Sequence, residues 1–102
     1  MKYYSGIVCF TLEHPYPSEI EGERMTIVGY YRNVVIAAEN EWSMKDLLET
    51  AEKSADLKSE IDWDGSEIAE ISHEELSEKS KLAAEIGEGI LYKTGRIFFP
   101  DR

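Results

Sequence analysis

Residues 24–38 read RMTIVGYYRNVVIAA. Eleven of these fifteen positions are Val, Ile, Thr, Tyr, Met or Ala, and charge is confined to Arg24 and Arg32. β-Branched and aromatic side chains at this density suit a pleated, half-buried surface, so the stretch predicts a strand against which any core must form. At ~3.3 Å per residue a straight strand of this length would span roughly 50 Å, more than the diameter of a round domain of this size. It is therefore expected to bend or divide, with Gly29 as a bulge or Arg32-Asn33 as a tight turn. Asn33 has no following glycine to complete a two-residue turn, which favours a bent strand.

Working outward, residues 3–12 (YYSGIVCFTL) predict a first strand. Tyr4, Val8, Phe10 and Leu12 share one face and Tyr3, Ile7 and Cys9 the other, so both faces are apolar and the strand belongs inside the sheet. Cys9 then reads as a buried thiol serving as a small hydrophobe. Residues 13–23 (EHPYPSEIEGE) carry Pro15, Pro17 and Gly22 and predict a connecting loop, either exposing Tyr16 and Ile20 for binding or packing over the sheet edge.

On the other side of residues 24–38, a helix is expected over residues 42–57. Ser43 is the expected cap, Asp46 its returning partner, and Trp42 with Leu47 a hydrophobic staple. Met44, Leu47, Leu48, Ala51 and Ala55 form the inward stripe, leaving Lys45, Glu49, Glu52 and Lys53 outside, with Glu49–Lys53 a weak i,i+4 pair. Residues 57–65 run into an acidic turn, and residues 66–71 predict a short strand. Ser72 and Glu75 repeat the capping box before a second helix whose stripe is Leu76, Leu82, Ala83 and Ile86, stopped by Gly87 or Gly89. Residues 90–99 (ILYKTGRIFF) predict a hairpin around Lys93-Thr94-Gly95.

These readings combine into one α+β domain over residues 1–102: a single layer of mostly antiparallel sheet, four to five strands, with one or two helices on one face. The chain of 102 residues suits one domain. It has no apolar run long enough for a membrane span, and Met1-Lys2-Tyr3-Tyr4 lacks the apolar block of a secretory signal. A single cysteine fits a reducing compartment, and a cytoplasmic location is expected.

The net charge of −10 is unevenly spread. Residues 59–75 hold Glu60, Asp62, Asp64, Glu67, Glu70, Glu74 and Glu75 with no lysine or arginine, whereas the C-terminal stretch carries Lys93, Arg96 and Arg102. Such a field repels a phosphate backbone, which argues against nucleic acid as a partner. It suits a basic protein, or simply keeps a small domain soluble.

Glu60-Ile61-Asp62-Trp63-Asp64-Gly65 has the alternating acids of a calcium loop, but with Gly65 as sixth residue the twelfth is Ile71, where a bidentate Glu is needed. The stretch reads as an acidic Asp-Gly turn. His14 and His73 have no Cys or second His at ligand spacing, so neither a metal nor a cofactor is expected. Gly87-Glu88-Gly89 follows a helix and lacks the third glycine of a dinucleotide loop.

What remains is surface chemistry. Asp62, Trp63, Asp64, Glu67 and Glu70 are the candidate partner-binding residues, Trp63 being of a type enriched at interface hot spots. In size, negative charge and strand–helix order the chain resembles the small acidic immunity proteins that neutralise toxins of competing bacteria. No diagnostic residue carries that likeness, and the leading expectation rests on the seven acids without a base, with Trp63 among them: a non-enzymatic binding module, of the immunity or inhibitor type, whose acidic surface around Glu60–Glu75 docks a basic protein. The alternatives are a small enzyme using carboxylates in a cleft roofed by residues 13–23, and a homodimer joined through the C-terminal hairpin.

Overall fold

The computed structural model describes residues 1–53 and 57–101, with the side chain of Lys53 excluded. Ala55 of the expected helix stripe, the Glu49–Lys53 pair and Arg102 lie outside the described residues. Residues 24–38 fall within one undivided strand, β2 (Glu23–Ala38), paired antiparallel with β1 (Lys2–Ile20). The remaining elements are α1 (Glu41–Lys53), β3 (Ser59–Ile71), a 3₁₀ turn (His73–Glu75), α2 (Glu78–Ala84), β4 (Gly89–Lys93) and β5 (Ile97–Pro100). Among the described residues they build a five-stranded antiparallel sheet in the order β3-β1-β2-β4, with β5 also paired to β2. The helix α1 packs against β2, β3 and β4. This is the α+β arrangement expected.

A straight strand over residues 24–38 is too long only for a round molecule, and this one is elongated, 45 × 24 × 23 Å. Its radius of gyration of 15.0 Å exceeds the ~13 Å of a compact 100-residue domain. The extra length is the far half of the β1–β2 hairpin, which replaces the loop expected over residues 13–23. It closes on Glu21 (φ 53°) and Gly22 (φ 81°), with Ile20 opposite Glu23, the two positive φ values that a tight two-residue hairpin turn requires.

The prolines that suggested a loop are accommodated at two special places. Leu12, Glu13, His14 and Pro15 stand opposite Val28 alone, so Pro15 sits in a wide bulge. Pro17 faces Thr26, whose carbonyl accepts from Asp101 N–H at 2.8 Å on the β5 side. Thr26 therefore points away from β1, and the proline opposite it needs no donor.

Gly29 is the bulge position anticipated in β2. A Cβ there would run into the Phe10 carbonyl oxygen and the Phe99 ring. Val28 is one residue too many against β5, so the inward set changes parity: Ile27 before it, then Tyr30, Val34, Ile36 and Ala38 after it. These join Tyr4, Val8, Phe10 and Leu12 of β1 and Met44 and Leu48 of α1 in one core.

The caps differ from expectation. Asn40 Oδ1 accepts Ser43 N–H at 2.9 Å and Asn40 C=O accepts Met44 N–H at 3.0 Å, so α1 starts before Ser43. Trp42 is consequently 82% exposed and forms no staple. Glu52, placed outside by the sequence reading, is buried. The second helix is split: Ser72 and Glu75 close a single 3₁₀ turn (Ser72 N–H to Glu75 Oε1, 3.2 Å), Leu76 is extended, and Ser77 caps α2 afresh by accepting Ser80 N–H at 3.2 Å. That restart rotates the stripe, burying Leu76 and Ser80 and exposing Leu82 and Ile86.

The C-terminal hairpin is also absent. Both β4 and β5 pair with β2, with Val34–Ala37 and Ile27–Tyr31 respectively, so they form one edge broken at Thr94–Arg96. The break is held by Thr94 N–H to Asn33 C=O and Asn33 N–H to Thr94 Oγ1, each 3.0 Å. Asn33 takes the place that a β4–β5 turn would have needed.

Candidate docking surface

Expected as a turn followed by a short strand, residues 59–71 are instead one strand, β3, an outermost strand whose described pairing is to β1. The Asp-Gly segment is a bulge within it: Trp63, Asp64, Gly65 and Ser66 stand opposite Val8 alone. Asp62 Oδ1 accepts Gly65 N–H at 3.1 Å, Ser66 Oγ donates to Asp62 C=O at 2.7 Å, and Cys9 N–H donates to Ser66 Oγ at 2.9 Å. Asp62 and Gly65 thus make a local hydrogen-bonded bend, but as a bulge within an edge strand and not as the turn expected.

The five candidate residues fall on two faces, and the bulge sets which of them share one. Asp62 pairs with Cys9 and Glu67 with Ile7, which puts both on the sheet face away from α1. Glu70 pairs with the buried Tyr4 and lies 3.7 Å from Lys2 Nζ, on the α1 side. Trp63 packs down against the core, with Lys45 Nζ 5.1 Å from its ring centroid. Asp64 sits unpaired in the bulge. All four acids are exposed, as is Glu60. Glu74 and Glu75 follow in the 3₁₀ turn, where Glu75 is engaged by Ser72.

Between α1 and β3 runs a groove. One part of it, about 390 Å³, is lined by Glu49, Glu52, Glu60, Ser59, Ile61 and Trp63. It is the concave, carboxylate-bearing site that the enzyme alternative needs, but it lacks the proposed roof, because residues 13–20 are strand. Glu52 is also fully engaged: Oε2 accepts from the Tyr30 hydroxyl at 2.6 Å and Oε1 from Arg32 Nη1 at 3.0 Å. Having spent its one proton on Glu52, the Tyr30 oxygen accepts from Ser59 Oγ at 3.0 Å.

Burial and the hydrogen bond to Glu52 push the Tyr30 phenol above its ordinary pKa of 10.0. Phe10 stacks on Tyr30 at 4.8 Å, and the Arg96 guanidinium carbon lies 5.2 Å from its ring centroid. This buried cluster of Tyr30, Arg32 and Glu52 was not found in the sequence. Its signal was the i, i+4, i+8 series Met44, Leu48, Glu52, which places Glu52 on the inward stripe.

The face away from α1 is the other notable surface. Register alone aligns Asp62, Cys9, Tyr31 and Ile97 in one row across the sheet, and Glu67, Ile7 and Asn33 in the next. Ile7, Tyr31 and Ile97 are 43%, 37% and 58% exposed. Cys9 is buried between them, where burial and then the Asp62 charge raise its thiol above 9.0. Tyr3 meets His73 edge-on at 5.5 Å, so the 3₁₀ turn reaches the row at one end of this face.

Among the described residues no group of three or more His, Cys, Asp or Glu is placed to hold a metal, and no helix is long and apolar enough to cross a membrane. Comparison with family models, with curated proteins and with solved structures returns no match.

Proposed function

We propose that the protein is a non-enzymatic binding module of the immunity or inhibitor kind, acting in the cytoplasm and docking a basic protein through the acids of β3. The observation that supports this reading is the position of those acids. Glu60, Asp62, Asp64, Glu67 and Glu70 are all exposed on a sheet-edge strand that contains no lysine or arginine. Charge of one sign on an outer strand steers an oppositely charged partner and speeds encounter. The same field repels a nucleic-acid backbone, so the partner is a protein.

The test is capture from a cell extract by immobilised wild-type protein and by the charge-reversed D62K/D64K variant. The wild type should retain a basic protein that the variant does not, and retention should weaken above ~0.15 M salt, where exposed charges are screened beyond ~8 Å. A partner held equally by both proteins, or the absence of any partner, rejects the proposal.

A further inference from the structure

We infer that the docking surface is the sheet face away from α1, and that its occupant is an amphipathic basic segment rather than a merely basic one. The inference rests on the binding reading above and says which face and what partner chemistry carry it.

The acids of β3 lie on both of its faces, so no flat partner can engage all five together. Two of them, Asp62 and Glu67, lead directly into apolar rows: Asp62 through Cys9 to Tyr31 and Ile97, and Glu67 to Ile7. Ile7, Tyr31 and Ile97 are large, exposed and adjacent in register, on a sheet whose other face is already filled by α1.

Exposed apolar side chains gathered on one face, rimmed by polar ones, are the usual mark of a contact surface. Here the rim carries charge on the β3 side, and the face itself offers Asn33 and Thr11 as its other central polar side chains. The complementary surface has an apolar ridge with lysine or arginine along one flank, as an amphipathic helix presents. Its apolar side would cover Ile7, Tyr31 and Ile97, and its cations would reach Asp62 and Glu67. The 3₁₀ turn contacting Tyr3 limits the open area to the rows from Ile7 onward.

Three synthetic 18-residue peptides test this by ¹⁵N chemical-shift titration: a Leu/Lys amphipathic helix, the same composition scrambled, and a Leu/Glu amphipathic helix. The Leu/Lys helix should bind, shift the amides of Ile7, Tyr31 and Ile97, and bind I97S and D62K/E67K at least tenfold more weakly. The scrambled and Leu/Glu peptides should each bind at least tenfold more weakly than the Leu/Lys helix. Because Ile97 is exposed, I97S should keep the wild-type spectrum.

If the scrambled peptide binds as well and only D62K/E67K matters, the inference fails while acidic docking stands. If neither lysine peptide binds, the inference fails, and the capture experiment alone decides the acidic docking. Shifts confined to the α1–β3 groove, or a dimer in sedimentation that I97S dissociates, overturn the inference, the latter by assigning the face to a second copy.

Discussion

Glu52 shows most clearly how one side chain governs its surroundings. Its side chain is 8% exposed and that of its partner Arg32 is 12% exposed, so each charge depends on the other. Glu52→Ala should therefore cost about 3–5 kcal/mol in urea denaturation, since it leaves Arg32 charged and unpaired in the interior. Tyr30→Phe should cost about 1–3 kcal/mol, because Glu52 Oε2 loses its donor. The two substitutions share one network and should combine non-additively.

Tyr30 also sets a pH dependence. Its phenol pKa is raised in the fold, so the neutral form is the one the fold favours. Stability is complete below the unfolded value near 10 and falls as pH rises through it toward the folded value. Urea midpoints measured between about pH 8 and 11 should decline at the alkaline end. The decline should be shallower in Tyr30→Phe, and some should persist, since Tyr4 and Cys9 are raised by burial too.

At the level of elements, the bulges do what regular strands cannot. The parity change at Val28–Gly29 lets Ile27 and Tyr30, three apart, both face the core. Gly29→Ala should destabilise by about 1–3 kcal/mol, because the new methyl meets backbone at Phe10 as well as the Phe99 ring. Asn40→Ala should cost about 1 kcal/mol through the lost cap, whereas Ser43→Ala should cost little, a contrast that thermal unfolding of the two variants checks.

These elements also show what was legible beforehand. The strand at residues 24–38, the helix after it and the role of Gly29 follow from side-chain type and period. The rest depended on partners far along the chain. The prolines at 15 and 17 signal loop to any local reading, and only the bulge and the orientation of Thr26 make them compatible with a strand. Lys93-Thr94-Gly95 looks like a turn until Asn33 claims Thr94. The acids of β3 were legible as a cluster, but which of them share a face was not, because that depends on four residues bulging opposite Val8. The cap was misplaced because Asn40 and Ser43 are equivalent in chemistry and only the start of the helix distinguishes them.

For the whole molecule, the decisive quantity is a charge of −10 on 102 residues, with the densest acid on one edge. The buried Arg32–Glu52 pair is shielded from salt, while the exposed acids repel one another through solvent. Raising NaCl from about 0.02 to 0.5 M should therefore raise Tm by a few degrees, as scanning calorimetry can measure. A fall in Tm would mean that exposed ion pairs such as Lys2–Glu70 and Glu41–Lys45 outweigh the repulsion.

The hairpin that lengthens the molecule leaves a good deal of sheet margin open, and a margin of free amides is a template on which identical chains can stack into fibrils. Three stretches of that margin are interrupted: β3 by its bulge and its acids, the β4–β5 side by the break at Thr94–Arg96, and the far half of β1 by Pro17, whose nitrogen faces outward with no hydrogen to offer. The awkward residues that made this stretch read as loop are thus ones that blunt an open strand against pairing with another copy of itself.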